Sequence, residues 1–402
     1  MGSLLHVVRD KHGGGGVTTT DAPPVVATGP PGRGGPGGPR GDGPRADAEG
    51  RDLLGLAAQR RRAALWTTGL GVALLVTVVI GVGAGPVGVS PGDSARIVLH
   101  HLVGLPGDVT WERRHDAIVW EIRAPRVVLG AAVGAGLALA GVVLQAMVRN
   151  ILADPYVLGI SSGASCGAAG AILFGVGAGF GDYALQGSAF VGALLASLLV
   201  FLVARSSGRI TSVRLLMAGV AVGYALSAAT SFLIFASDSA EGSRSVMFWL
   251  LGSLGLAAWN GALAVVVVVV AATVAVLAVV GRRLDALVVG DETALTLGVH
   301  PERFRTLLLV LVSLVVGVLV AMAGSIGFVG LVVPHLARRL VGGAHRAVVP
   351  VAALLGAVLL VWADVLARTL LAPQEIPIGI ITALVGAPFL LLLVRRLHAV
   401  PS

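Results

Sequence analysis

Cysteine, aromatic rings and charge are all scarce in this chain, and each scarcity removes a class of protein. A single cysteine, Cys166, among 402 residues excludes an intramolecular disulfide, and its Gly/Ala/Ser surroundings give it a packing role. Charged residues make up 12% of the chain against 56% hydrophobic, and mean hydropathy is +0.91, which no ordinary soluble domain shows. Aromatic residues amount to 5%, and the arginines form short clusters instead of a basic face. The formal net charge of +8 is therefore topology information and not a nucleic-acid footprint. No Gly-x-x-x-x-Gly-Lys-Ser/Thr segment occurs, so the chain does not itself cradle ATP. The first residues also lack the apolar core of a secretory signal.

Apolar runs of bilayer-crossing length dominate what remains. A hydrocarbon layer about 30 Å thick takes roughly 20 residues of helix to cross, with every backbone hydrogen bond made inside the helix. The pattern predicts an all-α, polytopic bundle of about ten helices, near 64–86, 127–148, 155–177, 184–204, 213–236, 259–280, 306–324, 326–340, 347–370 and 377–394. The run at 326–340 is short and contains Pro334. Residues 1–62, rich in Gly, Pro and Arg, bury too little apolar surface to offset chain entropy and are expected to form a disordered tail; residues 63–398 form the transmembrane domain. The tail ends in Arg60, Arg61 and Arg62, which places it in the cytoplasm, and ten crossings return the C-terminus there. Multi-pass residence in the cell membrane follows. Arginines then collect in the predicted inner loops, with one exception, the outer segment Val87 to Arg126 with five.

Glycines recur at four-residue spacing inside the spans, as at Gly130 with Gly134 and Gly163 with Gly167, where small residues let helix backbones approach closely. Intramembrane acids are few. Asp364 is the main one, with Arg368 one helical turn on, a spacing that suits a local ion pair. The energy for transport is thus expected from outside the chain. A rival reading is an ion-coupled secondary transporter with Asp364 as its cation site; a purely structural scaffold is another. His335 next to Pro334 reads as a structural hydrogen-bond partner, and no metal site is assigned. The longest inner loop, 281–305, has Leu284, Leu287 and Val288 at helical spacing, a break at Gly290, acids Asp291 and Glu292 suited to a helix start, and Gly298 to end it. Two short amphipathic helices follow, either a docking element or a loop resting on headgroups.

Taken together the chain resembles permease subunits of the FecCD-type ABC importers, which take up ferric siderophores, haem or cobalamin. The resemblance runs from about Ala64 to Arg396. It is carried by Arg123-Ala-Pro-Arg126; Gln145 to Arg149-Asn150 and Asp154-Pro155, with Gly159 and Ser161 to Ala164; Trp249 to Leu254; Gly290 to Gly298; Gly327, Gly330, Pro334 and His335; His345-Arg346; Asp364 to Arg368; and Glu375, Pro377 and Gly379. Two positions depart from the family pattern: Ile151 replaces a proline after Arg-Asn, and Ala124 replaces a leucine between the arginines.

The resemblance implies a type II ABC importer permease, dimeric with a second copy of itself, set in lipid above two ABC ATPase subunits and beneath an extracytoplasmic binding protein. ATP would be used by the partner ATPase, with no cofactor bound to this chain. It implies ATPase docking through Arg282, Arg283, Leu287, Gly290, Asp291, Glu292, Ala294, Leu297 and Gly298. Binding-protein docking would use Arg123, Arg126 and Arg368. Ferric siderophore is the expected cargo, with haem or cobalamin as alternatives.

Overall fold

The computed structural model describes residues 56–205 and 211–398, and these are all helix and connecting turns. Most of the expected tail lies outside the described residues. The elements are α1 (Leu56–Gly83), α2 (Pro91–Val103), α3 (Arg113–Asp116) running through a π-helical segment (Ala117–Arg123) into α4 (Ala124–Val148), α5 (Ile160–Phe174), α6 (Ala184–Arg205), α7 (Ser212–Phe235), α8 (Ala240–Leu250), α9 (Gly261–Val289), α10 (Asp291–Thr296), α11 (Pro301–Ala323), α12 (Val329–Val341), α13 (His345–Thr369) and α14 (Ile378–His398).

Among the described residues, seven helices are long and apolar enough to span a bilayer: α1, α3–α4, α6 with the short 3₁₀ turn before it, α7, α9, α11 and α13. The apolar helices α5 and α14 are shorter, and α12 has 13 residues. At 1.5 Å per residue α12 rises about 20 Å, too little to cross unaided. The chain reaches it through the non-helical stretch Gly324 to Phe328. These ten helices fall on the ten expected runs. They also alternate in direction. Gln59 and Arg62 of α1 reach the carbonyls of Val341 and Arg339, while Arg149, Leu287, Asp291 and Arg305 gather beside them on the face that carries α10. The opposite face carries α2, α3 and α8.

At the centre lies α4, buried along nearly its whole length and packed against α9, α11, α12 and α13. Its glycines make that possible. A Cβ on Gly134 would collide with the carbonyl of Gly356 in α13, and one on Gly141 with the carbonyl of Gly330 in α12. The backbones touch, which replaces the hydrophobic drive that lipid does not supply. Gly163 and Gly167 do the same between α5 and α6, against Gly192 and Ser188.

One expected element differs. The first of the two short helices read into 281–305 is not separate: α9 continues to Val289 and carries Arg282 and Arg283 on its last turns. Leu284 and Leu287 are buried in the bundle core and not laid on headgroups. A continuous helix wins because nothing before Gly290 breaks it.

Candidate functional site

Segments far apart in sequence converge at the α2 face, where three helix ends leave the backbone irregular. Ser253 N–H donates to Ala323 O (2.9 Å), Ile378 N–H to Gly252 O (3.2 Å) and Gly379 N–H to Leu251 O (3.0 Å). Tyr156, on a fourth segment, holds the stretch after Ala323 in place, its hydroxyl accepting from Ile326 N–H at 2.8 Å. Around this crossing opens a cleft of about 630 Å³ lined by Phe248, Trp249, Gly252, Gly324, Pro377 and the pair Arg126 and Glu375. Trp249 Nε1 is buried there and donates to no group among the described residues. Non-helical backbone at such a depth is tolerated only where protein or a cavity surrounds it.

Beside the cleft lies a buried ion cluster. Asp364, 1% exposed, stands between Arg126 (Nε to Oδ1, 2.8 Å) and Arg368 (Nε to Oδ2, 2.9 Å). Arg126 also forks onto the Glu375 carboxylate at 2.9 and 3.0 Å. Arg368 donates to Gly81 O and Ala84 O, and Arg123 to Val82 O, Gly83 O and Val87 O. Two cations thus satisfy the open carbonyls at the C-terminus of α1, where the helix dipole favours positive charge. The local Asp364–Arg368 pair read from sequence is present, enlarged to a network. The expected docking surface is not. Arg123, Arg126 and Arg368 are 3%, 7% and 2% exposed and act as internal ties between α1, α4, α13 and the start of α14. Arg96, Arg113 and Arg114, and Arg244 of α8, stand exposed on this face.

On the opposite face, the last turn of α4 forms a hub. Gln145 is buried; its Nε2 donates to Leu331 O (3.2 Å) and Ala153 O (3.3 Å), and its Oε1 accepts from Arg338. Pro155 packs against Gly330. Arg149 adopts φ 55° as the α4 C-cap, and Asn150 Oδ1 accepts from Leu152 N–H at 2.9 Å. That side-chain turn shapes the connection to α5 beside Ile151. Asp154 caps the next turn through Tyr156 N–H (2.9 Å), and burial pushes its carboxyl up to about 6 against that opposing bond. Gly159, at φ 71°, ends the turn against the backbone of Gly219 and Gly223.

The remaining residues separate clearly. Gly290, Asp291, Glu292, Ala294, Leu297 and Gly298 all belong to α10 or its ends, with Ala294 buried and Glu292, Leu295 and Leu297 exposed. Arg282 and Arg283 are exposed at the end of α9, whereas Leu287 faces inward. His335 corrects its reading: its Nε2 is buried without a hydrogen-bond partner among the described residues, and its ring meets Phe389 edge-on at 6.1 Å. Sequence reasoning passed over two contacts. Arg305, at the end of the inner loop read as 281–305, is buried on Asp291; His345 donates its N–H to Asp285 Oδ1 at 3.0 Å, with its ring 2.6 Å away, anchoring the start of α13. The two arginines at 303 and 305 in the first turns of α11, ahead of its long apolar run, were the signal for the first.

Comparisons with known proteins agree with this geometry. The model of the FecCD transport family matches residues 73–396. The cobalamin import system permease protein BtuC of Halobacterium salinarum is 39% identical over 364 residues, covering 83% of this chain and 96% of that protein. The hemin transport system permease protein HmuU of Yersinia pestis is 38% identical over 334 residues, covering 81% and 95%. Among solved structures, an inward-facing conformation of a metal-chelate type ABC transporter superposes with TM-score 0.70 at 34% identity, covering 82% of this chain and 98% of that one. A membrane-spanning helical bundle whose irregular segments meet at one cleft, matched over most of its length, belongs to the FecCD transport family of ABC importer permeases.

Proposed function

We propose that this chain carries a preassembled metal chelate from an extracytoplasmic binding protein into the cytoplasm, driven by two ABC ATPase subunits docked on the α10 face. The carrying observation is the meeting of the Trp249 to Leu254, Ala323 to Phe328 and Glu375 to Gly379 segments at one cleft with a single ion pair. Apolar walls and backbone groups suit a bulky ligand whose metal stays inside its own shell. Ferric siderophore is the cargo expected from sequence; the names of the relatives favour a corrinoid or haem as the second reading. The α10 face is cytoplasmic in this scheme, since Arg60 to Arg62, Arg282, Arg283, Arg338 and Arg339 lie there. Arg96, Arg113 and Arg114 would steer the acidic surface of the binding protein on the outer side. A second copy completes the pathway against α7 and α14, whose apolar side chains Tyr224, Phe232, Leu384 and Leu391 are exposed.

Uptake by a deletion strain and its complemented parent tests this, with labelled ferric siderophore, haem and cobalamin offered separately. An ATPase-dead partner serves as control. Loss of one chelate in both the deletion and the control strain supports the reading and names the cargo. Uptake that survives the dead ATPase refutes it.

A further inference from the structure

Three side chains from three helices meet at the first residue of α10. Arg305 of α11 donates Nη1 to Asp291 Oδ2 and Nη2 to Oδ1, both at 2.9 Å, in a parallel fork. Arg149, at the end of α4, donates to the same Oδ1. Each arginine is anchored in turn: Arg305 Nε on Met147 O at 3.4 Å, Arg149 Nε on Leu287 O at 3.1 Å. The side chain of Arg305 is buried, while Asp291 remains partly open to a surface cleft.

Six residues of helix do not hold themselves in water. No side chain caps the N-terminus of α10, and Ala294 alone is buried. Beside its junction with α9 at Gly290 and the buried Ala294, the Asp291 carboxylate is the side-chain tie that fixes α10 to α4 and α11. A two-bond arginine fork resists rotation as well as separation, which a point-charge contact does not. One turn back along α4, Gln145 grips Leu331 O in the first turn of α12, directly after the irregular stretch that borders the cleft on the other face.

The geometry points to Asp291, Arg149 and Arg305 as a clamp that converts displacement of α10 into movement of α4 and, through Gln145, of α12 and the cleft. Arg305 is then a positioning residue for transport. This rests on α10 being where the ATPase docks.

The test uses the full permease–ATPase complex in liposomes of phosphatidylethanolamine and phosphatidylglycerol. Variants are Asp291→Asn, Arg305→Gln and their double. The ATPase copurifies with every variant. Chelate moved per ATP hydrolysed falls about tenfold in each single variant and falls no further in the double. Additive losses, an unimpaired single variant, or loss of ATPase binding by the variants alone each overturn the clamp. Failure of the unaltered permease to bind the ATPase overturns the docking reading instead. A second readout needs no transport: a spin label on exposed Leu295, in a Cys166→Ser background, gains mobility in Asp291→Asn. Unchanged mobility also overturns the clamp.

Discussion

Replacing Asp364 by asparagine keeps the size of the side chain and removes the charge that Arg126 and Arg368 share. Both pairs are short, 2.8 and 2.9 Å, and all three side chains are shut away from solvent. Breaking a buried pair by neutralising one partner costs about 3–5 kcal/mol, because the surviving charge is left without compensation. Here the remaining contacts soften the loss. Arg126 keeps the Glu375 fork, and Arg368 keeps the carbonyls of Gly81 and Ala84. The low end, about 3 kcal/mol, is expected. Unfolding in mixed micelles titrated with sodium dodecyl sulfate measures it, and uptake per folded molecule is measured alongside. Because the cluster ties helix ends together, uptake per folded molecule should stay within about twofold of the unaltered protein, under half a kcal/mol of barrier. Stability unchanged by the substitution would refute the network as a structural tie. Uptake abolished in a protein of full stability would make Asp364 a coupling-ion site and revive the secondary-transporter reading.

Gly134→Val forces a branched side chain into the carbonyl of Gly356 and should cost about 3 kcal/mol or more in the same titration, whereas Gly71→Ala, with nothing within 4 Å, should be neutral or stabilising. Asp154 predicts a pH dependence: its carboxyl titrates near 6 in the fold and near 3.8 when unfolded, so the native state holds the extra proton between those values. Stability should therefore rise as pH falls from about 6 to about 4, by up to about 3 kcal/mol, and Asp154→Asn should flatten that slope.

Much of the architecture was legible because a bilayer imposes a length and a charge rule that short-range pattern records. Ten apolar runs gave ten helices, and glycines at four-residue spacing marked real contacts. Misreadings arose where a residue's partner lies elsewhere in the chain. The arginines at 123, 126 and 368 are assigned to a docking surface by the family resemblance. Apart from the local Asp364–Arg368 pair, their neighbours, the open end of α1 and, for Arg126, the acids Asp364 and Glu375, become visible only when α1, α4, α13 and the start of α14 are brought together. Arg305 escaped notice for the same reason, since its carboxylate sits 14 residues away across a turn whose shape the pattern does not encode.

The sequence by itself determined that this is a membrane bundle, which face collects the arginines, and, through its ordered motifs, its family. Hydropathy, positive charge and motif spacing are properties of contiguous residues, and lipid reads them one helix at a time. Tertiary structure alone decided that the Trp249, Gly324 and Glu375 segments share one cleft, that Arg123, Arg126 and Arg368 are ties, and that Arg149 and Arg305 meet on the Asp291 carboxylate. Those outcomes depend on backbone contacts between helices, such as Gly134 on Gly356 and Gly141 on Gly330, whose geometry no single stretch of chain contains.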